Sequence, residues 1–489
     1  MEEFLDTYVS VQEGRVTDAL LHRSLNFAKP RSFRALHSLR WRLLMGLLPV
    51  NVSASTYSTE WARYTQKGVQ EWNTMNDALM KRIQTDDSSP KRSEKKGRFG
   101  ESDSSDEETE GRVVENPLLP TAGSSYAFRY NIDKIRATAQ KDIDRLHWDL
   151  PLFEQPTTKE TLLLILVNYC LRHNRDYKQG MHEIAAFILY VIHNDTTLVD
   201  ELQGKNEGTH TLLFSTFRSV YPEDGKTALS FQLFEIIMNA PGMNLSQWYY
   251  TDDEHAPDSI VSAAQKVQGE CLAKLDPALH QQMNTIYEIE GTSYLIRWLR
   301  LIFLREFSLV QCADLWDLFL CEKFLVGHGE YHLIDSTITM LAASMLLFVR
   351  NELMVGCIAA LKRLMKYPPV EDVGVLVEKT ISQIDSQKSG LGRYFTPSHH
   401  VSLAEPQLVS KSLVEYASTP PPTLSLREVM LQQGVILTSI IEGFERQCFP
   451  SPSVSREESD AVRESYLRSI AQLKKVRDVL LHQDDDSDP

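Results

Sequence analysis

Apolar residues recur at helical spacing along most of the chain. Between residues 32 and 50, for example, the apolar positions include Leu36, Leu39, Leu43 and Leu44. Residues three or four positions apart share one face of a helix, so this spacing indicates an amphipathic α-helix. Alternation of Val, Ile and Thr with polar residues, which would indicate strands, is scarce. We therefore predict an all-α fold.

The same periodicity predicts a series of further helices. We expect them at about 56–82, 127–145, 157–174, 180–194, 227–240, 258–285, 294–325, 331–349, 351–366 and 370–384. A polar segment at about 195–225 is expected to interrupt the series. Because 42% of the residues are hydrophobic, these helices can bury a sizeable core.

One stretch inside this helical pattern has almost no apolar residues. Residues 86–111 hold a basic run, Lys91–Arg98, and then an acidic and serine-rich run, Ser102–Glu110. Such a composition cannot bury enough surface to offset the entropy cost of ordering, so it predicts disorder. We place this disordered insertion at about 84–115.

Composition divides the chain into four parts. Residues 1–32 are an N-terminal lead-in, and residues 33–385 are the helical domain that contains the insertion. Residues 386–425 are polar and end in the proline-rich run Thr419–Thr423, which is typical of a linker. Residues 426–489 are predicted to form a C-terminal tail of two helices.

Charge and cysteine usage exclude several classes of protein. Lys and Arg total 51 against 66 Asp and Glu, a net charge of −15, whereas nucleic-acid binding requires clustered cations. The six cysteines are scattered without a C-x-x-C pair, so neither a disulfide scaffold nor a zinc site is expected. The acidic N-terminus is unlike a signal peptide, and the apolar runs are too short to span a bilayer. We expect a cytoplasmic protein without a transmembrane segment.

The first candidate site motif places an arginine three residues after an aspartate. Asp142 and Arg145 lie at the end of a predicted helix, where this spacing allows an ion pair that would fix the guanidinium. An ordinary surface salt bridge is the alternative interpretation.

The second motif reads Tyr-Lys-Gln-Gly-Met-His-Glu. It opens an apolar helix, so Gln179 is expected at a helix start with its side chain projecting outward. Gly180 permits close approach of the backbone, and Glu183 suits the electrostatics of the first helical turn. Tyr177 stands two residues before the glutamine. A helix start without any chemistry is the alternative.

The third motif is an almost apolar helix that carries cations. Arg297 and Arg300 flank Trp298 in this helix, and the run Leu315-Trp316-Asp317 follows. Buried cations need partners, which leaves two roles open for these arginines: contact with a partner protein, or structural ion pairs.

Taken in order, these motifs resemble the TBC domain of Rab GTPase-activating proteins. The series is Arg-Trp-Arg before Gly-Leu-Leu-Pro, then K-D-I-x-R, Y-x-Q-G-M-x-E, I-R-W-L-R-x-x-F-x-R-E-F and L-W-D. The resemblance covers about residues 33–385 and implies two helical subdomains in a V shape. It also implies a Rab GTPase as the partner.

The resemblance further implies a mechanism with two catalytic side chains supplied in trans. Arg145 would be the arginine finger and Gln179 would position the attacking water, while Asp142, Tyr177 and Gly180 would support the two fingers. The chain would then be a GTPase activator and not itself a hydrolase. No cofactor is expected in the chain, because GTP and Mg²⁺ belong to the partner.

Within the family, the sequence resembles the retromer-associated members. The turn Asn116-Pro117-Leu118 is one basis for this resemblance, and it would bind the retromer complex. A turn that only leads the chain back into the fold is the alternative interpretation. The partner would then be a late-endosomal Rab, and the chain would be recruited peripherally to endosomal membranes. The run Tyr8–Val11 also has the aromatic-x-x-aliphatic form of autophagy-adaptor ligands.

Two rival functions differ in class from a GTPase activator. A catalytically silent TBC scaffold would bind retromer or a Rab without supplying catalytic groups. An α-solenoid adaptor would need an internal repeat of about 34–47 residues, and the sequence shows none.

Overall fold

The computed structural model describes residues 16–29, 31–52, 55–87, 125–146, 148–205, 211–250, 256, 259–327, 331–384 and 390–397. Within these ranges the regular structure is helical, apart from one isolated bridge between Asn26 and Thr396. The predicted all-α class is confirmed. None of the described helices is long and apolar enough to cross a membrane.

The α-helices of the described ranges follow one another closely along the chain. They are α1 (Val16–Ser24), α2 (His37–Leu44), α3 (Tyr57–Asp87), α4 (Ser125–Ile143), α5 (Pro151–Glu154), α6 (Pro156–Arg172), α7 (Met181–Lys205), α8 (Thr211–Val220), α9 (Lys226–Met238), α10 (Ile260–Lys266), α11 (Leu272–Leu275), α12 (Pro277–Gln281), α13 (Thr292–Arg300), α14 (Leu309–Val326), α15 (Thr337–Phe348), α16 (Arg350–Leu353), α17 (Cys357–Met365) and α18 (Val373–Gln383). Short 3-10 helices are Arg31–Arg34, Glu223–Gly225, Leu245–Trp248, Leu333–Asp335 and Leu391–Arg393, and π-helical turns are Val267–Cys271 and Gln282–Ile286.

The helices pack in two groups. In the first group, α7 packs against α2, α6 and α9, while α4 packs on α6 and α3 packs on α8 and α9. In the second group, α10 and α15 pack against α13, and α18 packs on α15. Helix α14 joins the groups, since it contacts α1 and α2 as well as α15 and α18. These two groups of contacts agree with the two helical subdomains that the resemblance implied.

Buried carboxylates fasten α2 to α14. The fully buried Asp317 accepts hydrogen bonds from Trp41 Nε1 at 2.7 Å and from Arg40, and His37 Nδ1 lies 3.0 Å away. Although burial opposes ionisation, Arg40 and the other donors lower the pKa of Asp317, so the carboxylate stays charged. Asp314 accepts from Arg34 Nε at 3.1 Å, which fastens the 3-10 helix before α2 to α14. The Arg-Trp-Arg and L-W-D motifs are thus two halves of one structural network.

The polar segment predicted at 195–225 is wrong in part. Helix α7 continues to Lys205, and α8 occupies Thr211–Val220. Val199 and Phe217 are buried, so the helices carry a narrow apolar face. Frequent polar residues on the exposed faces concealed this face in the sequence.

The helix predicted at 294–325 is in fact two helices. Helix α13 ends at Arg300, and α14 begins at Leu309 with a capping box between Ser308 and Gln311. The connecting turn contains Ile302 and Phe303 at φ +46° and +64°. Both side chains are fully buried, so tertiary packing holds a backbone conformation that apolar periodicity cannot reveal.

The helix predicted at 258–285 is also interrupted. Asp276 caps a new helix by accepting from Leu279 N at 3.0 Å, and Pro277 opens that helix. Proline lacks the N–H that would continue the previous helix, which explains the break.

The boundaries of the folded part differ from those predicted at both ends. Helix α1 lies in the predicted lead-in, and residues 390–397 lie in the predicted linker. The two segments contact each other, since Tyr394 Oη donates to Asp18 Oδ1 at 3.0 Å. The start predicted for the disordered insertion, at about 84, is wrong, because residues 84–87 belong to α3. The rest of the insertion, the run Tyr8–Val11, the remainder of the linker and the tail at 426–489 lie outside the described residues.

A buried glutamate caps helix α15 and is expected to make stability depend on pH. Glu322 accepts from Thr337 N at 2.9 Å and from Thr337 Oγ1 at 2.9 Å. Burial raises the pKa of Glu322 from 4.5 to about 7, although the bonds from Thr337 oppose this shift. The folded chain therefore holds this proton to higher pH than the unfolded chain does. The free energy of unfolding should fall as pH rises from about 4.5 to about 7.

Replacing this carboxyl with an amide tests that expectation. Relative to the native chain, Glu322→Gln should gain stability as pH rises through this window, by at most about 3 kcal/mol. Thermal unfolding followed by circular dichroism at several pH values measures the difference. The exposed Glu154→Gln is the matched control and should show no such trend. A Glu322→Gln difference that is constant with pH would contradict the assignment.

Candidate functional site

Arg145 lies just beyond the last turn of α4. The helix ends at Ile143, and Arg145 N donates to the carbonyl oxygen of Asp142 at 3.2 Å to close a tight turn. The arginine side chain is exposed, and no described residue forms an ion pair with it. Its guanidinium is therefore accessible to a partner.

The ion pair predicted between Asp142 and Arg145 is wrong. A spacing of three residues brings side chains together only while the helix continues, and this helix stops between them. Asp142 Oδ2 instead accepts from Tyr177 Oη at 2.9 Å. The aspartate thus connects the end of α4 to the glutamine motif rather than to the arginine.

Gln179 projects from the turn that leads into α7. Its side chain is exposed, and the helix begins two residues later at Met181. This position agrees with the prediction of an outward-facing glutamine at a helix start.

The neighbouring Tyr177 is buried and anchors this turn. Its hydroxyl donates to Asp142 and lies 2.8 Å from His182 Nδ1. Burial, assisted by the Asp142 carboxylate, raises the pKa of Tyr177 well above its ordinary value. The phenol therefore keeps its proton and serves as a donor. Through it, the turn that carries Gln179 and the helix that precedes Arg145 form one hydrogen-bonded unit.

Position 180 requires glycine because of its backbone conformation and because neighbouring side chains leave little room for a Cβ. It has φ +101°, a region that side chains rarely adopt. A Cβ here would lie 3.0 Å from Leu301 Cδ2 and 3.3 Å from Tyr249 Oη. Tyr249 is itself held in place, because its hydroxyl donates to the carbonyl oxygen of Arg300 at 2.9 Å. The glutamine turn therefore rests directly on the second subdomain.

The loop that precedes Tyr177 is fixed at several points. Lys134 Nζ on α4 lies 3.2 Å from Asp176 Oδ1, and Tyr250 Oη donates to the carbonyl oxygen of Asp176 at 2.6 Å. The Arg175 guanidinium stacks over the Tyr250 ring at 4.7 Å. These contacts limit where the glutamine turn can move.

Glu183 forms a second link between the subdomains. The buried carboxylate accepts from Arg305 Nε at 3.0 Å and from Arg305 Nη2 at 2.6 Å. This two-pronged hydrogen bond raises the pKa of Arg305, which stays charged. The first turn of α7 is therefore tied to the segment between α13 and α14.

The two arginines of the third motif have different surroundings. Arg297 forms a two-pronged pair with Glu306, at 2.9 and 3.0 Å, and donates to the carbonyl oxygen of Met365 at 2.8 Å. These contacts assign it the structural role. Arg300 stacks over the Tyr249 ring at 5.8 Å, and its buried Nε has no acceptor among the described residues. It therefore contacts the tyrosine against which Gly180 packs.

The sequence did not identify every residue that shapes this site. Tyr249, Tyr250 and Leu301 contact the glutamine turn or its loop, although they lie about 70 to 120 positions later in the chain. The adjacent pair Tyr249 and Tyr250 was the only sequence feature that marked these residues, and no spacing rule connects that pair to Gln179. The predicted retromer-binding residues Asn116, Pro117 and Leu118 lie outside the described residues.

Comparison with known proteins shows a family match over the residues that carry this site. Residues 124–354 match the family model of the Rab-GTPase-TBC domain. These residues include the arginine motif, the glutamine motif and the Arg297 helix. The family match over these residues confirms the resemblance drawn from the motifs of the chain.

Known proteins are similar to segments of this chain. TBC1 domain family member 5 of Homo sapiens is 26% identical over 306 residues, which cover 57% of this chain and 35% of the human protein. TBC1 domain family member 5 homolog B of Dictyostelium discoideum is 35% identical over 136 residues, which cover 28% of this chain and 12% of that protein. The similarity thus spans about a third of the human relative's length. The crystal structure of the Ypt/Rab-GAP domain of Gyp1p aligns with a TM-score of 0.48 at 14% identity, covering 77% of this chain and 90% of that one.

Proposed function

We propose that this protein accelerates GTP hydrolysis by a Rab GTPase by inserting Arg145 and Gln179 into the nucleotide site of its partner. One observation carries the proposal: the hydrogen bond from Tyr177 to Asp142 joins the elements that present the two exposed side chains. The match of residues 124–354 to the Rab-GTPase-TBC domain model supports the choice of a Rab as the partner.

Arg145 supplies charge compensation in this mechanism. Negative charge spreads over the phosphate oxygens as the γ-phosphoryl group leaves, and a guanidinium placed beside them stabilises the transition state. Its planar fork of N–H donors can contact two oxygens at once. The exposed position after α4 suits a side chain that must reach into another protein.

Gln179 orients the attacking water. An amide side chain offers both a donor and an acceptor, so it can hold a water in line with the bond that breaks. Tyr177, Asp142 and Gly180 are positioning residues, because they fix the turn rather than contact the substrate. No resident cofactor is assigned, since GTP and Mg²⁺ would be bound by the GTPase.

Crowding at Gly180 should impair activation more than it impairs folding. Gly180→Ala adds a methyl group against Leu301 and Tyr249, which should displace Gln179 and slow activated hydrolysis by up to about 100-fold. Gly46→Ala is the matched control, because Gly46 has φ +75° and nothing within 4 Å of an added Cβ. Both variants should lose about 1–3 kcal/mol of stability from the backbone. Equal activity losses in the two variants would contradict the positioning role.

We further propose that the protein acts in endosomal trafficking as a peripheral partner of the retromer complex, on a late-endosomal Rab. Support comes from the similarity to TBC1 domain family member 5 and from the Asn116-Pro117-Leu118 sequence. Proline lowers the entropy cost of ordering the turn, and Leu118 supplies an apolar side chain for a pocket on the partner.

Leu118→Glu should abolish binding to the phosphoesterase-like retromer subunit and leave GTPase activation near normal. A carboxylate cannot enter an apolar pocket without a large desolvation cost. Calorimetric titration of the subunit measures the first effect, and Rab GTP hydrolysis measures the second. Unchanged affinity for the subunit would exclude this turn as the docking element.

The proposed activity is tested by measuring GTP hydrolysis across a panel of purified Rabs, with and without the full chain. Acceleration of at least one Rab is expected, and this experiment also identifies the substrate. If no Rab responds although one binds, the silent-scaffold function replaces the proposal.

A further inference from the structure

A groove of about 510 Å³ lies between α3, α4 and the end of α6. Its floor is apolar and is formed by Met75, Leu79, Phe128 and Leu171. The volume falls within the range of protein pockets that bind ligands, about 300–1,000 Å³. None of the candidate catalytic residues lines it, so the groove is distinct from the site described above.

The elements that form the groove also present the two fingers. Helix α4 contributes Phe128 and Asn131 to the groove and ends two residues before Arg145. Arg172 and Asn174 line the groove at the start of the loop that leads to Gln179. A ligand wedged between these walls would therefore act on both elements.

Charge at the rim favours an anionic ligand. Arg172 is half exposed; its Nε pairs with Glu235 at 2.9 Å and its Nη1 points to Met75 Sδ at 3.5 Å. A guanidinium has five N–H donors, so these contacts leave several for a ligand. The Arg82 guanidinium covers the Phe128 ring at 3.5 Å. No residue that lines the groove is acidic.

The amide side chains of the groove favour a peptide over a simple anion. Asn131 and Asn174 both line the groove, one on α4 and the other in the loop after α6. An amide offers one acceptor and two donors, which match the C=O and N–H groups of an extended peptide. The apolar floor would take an aliphatic side chain, and the arginines would take a neighbouring carboxylate.

We propose that this groove docks a peptide segment of a separate protein, one with an aliphatic side chain beside carboxylates, and that docking changes how effectively Arg145 and Gln179 act. The second half of the proposal rests on the proposed function, whereas docking itself does not. Binding of the peptide and binding of the GTPase would then be coupled through α4 and the 173–177 loop. Each would alter the affinity of the chain for the other.

Docking can be measured without any GTPase. The full chain is labelled with ¹³C in its methionine methyl groups, and the Met75 signal is assigned with Met75→Leu. The probes are two capped peptides, Glu-Glu-Leu-Leu-Glu-Glu and Lys-Lys-Leu-Leu-Lys-Lys. We expect the Met75 signal to shift and saturate with the acidic peptide only. No shift at millimolar peptide, or an equal response to the basic peptide, would overturn the proposal.

Two variants in the groove and one control variant locate the binding. Ala78→Trp places a large ring in the groove from an exposed helical position and should weaken binding about tenfold or more. Ala278→Trp, at an exposed position in the second subdomain, is the matched control and should bind normally. Arg172→Gln should weaken binding about twofold to fivefold. Binding that survives Ala78→Trp unchanged would overturn the assignment of the groove.

The chain's own insertion is an alternative occupant, because its ends adjoin α3 and α4. A variant lacking residues 88–112 tests this alternative. A Met75 signal that moves in this variant without added peptide would identify an internal occupant and overturn docking of a separate protein.

Coupling is tested by adding saturating acidic peptide to the Rab assay. Activation by the native chain should change at least about twofold, and activation by Ala78→Trp should not. An unchanged rate of GTP hydrolysis, at a peptide concentration that saturates the shift of the Met75 signal, would overturn the coupling. Failure of the proposed function would give a different result. GTP hydrolysis by every Rab would stay unaccelerated with or without peptide, while the Met75 signal would still shift.

Discussion

Arg145→Ala is expected to slow the activated GTP hydrolysis of the partner Rab by about 10³–10⁵-fold, the usual contribution of an arginine supplied in trans. The side chain is exposed and forms no ion pair with a described residue, so its removal should leave the fold intact. Single-turnover hydrolysis with a fixed Rab measures the loss, and circular dichroism checks the fold. Arg63→Ala, which removes another exposed arginine, is the control and should be fully active.

The chemistry of the finger can be tested further at the same position. Arg145→Lys should not restore activity, because an ammonium lacks the planar fork that spans two phosphate oxygens. A fully active Arg145→Ala variant would show that the arginine assignment is wrong.

Gln179→Ala should also reduce activation strongly. Both side chains act on one transition state, so their effects should not add. The double variant should be little slower than the more damaged single variant. Strictly multiplicative losses would indicate that Arg145 and Gln179 act in separate steps.

The second large effect concerns stability. Asp317→Ala is expected to lower the free energy of unfolding by about 3–5 kcal/mol, the usual cost of removing one partner of a buried ion pair. Arg40 and Asp317 are both almost fully buried, so the substitution leaves the Arg40 charge beside an uncharged side chain. It also removes the acceptor for Trp41 Nε1.

Denaturant unfolding measures this loss against a surface pair. Asp144→Ala is the control, because Asp144 is half exposed and pairs with Lys159 at 3.1 Å across the surface. It should cost at most about 1 kcal/mol. If Asp317→Ala costs no more than this control does, the α2–α14 network is not the structural link that its geometry indicates.

The fold was predictable from the sequence where one physical signal dominated. Apolar periodicity placed most helices because burying one face of a helix requires it. It failed at Ile302 and Phe303, since buried apolar residues look the same in a helix and in a packed turn. It also failed around Val199 and Phe217, where narrow apolar faces lie among many polar residues.

The site was predictable only as far as local sequence determines it. An exposed Gln179 follows from a helix start, and the close approach at Gly180 follows from the absence of a side chain. The partner of Asp142 could not be predicted, because it depends on where α4 ends and on Tyr177 coming from another element. Tyr249 and Leu301 approach Gly180 only through tertiary packing.

The central claim is that Arg145 and Gln179 act in the transition state, and binding to a transition-state mimic tests it most directly. A Rab that the native chain activates is loaded with GDP, and affinity for the chain is measured with and without aluminium fluoride, which occupies the position of the transferring phosphoryl group. We expect fluoride to strengthen binding of the native chain by at least about 100-fold, as for transition-state analogues in general. This gain should disappear in Arg145→Ala and fall sharply in Gln179→Ala. An equal gain in all three proteins would contradict the account.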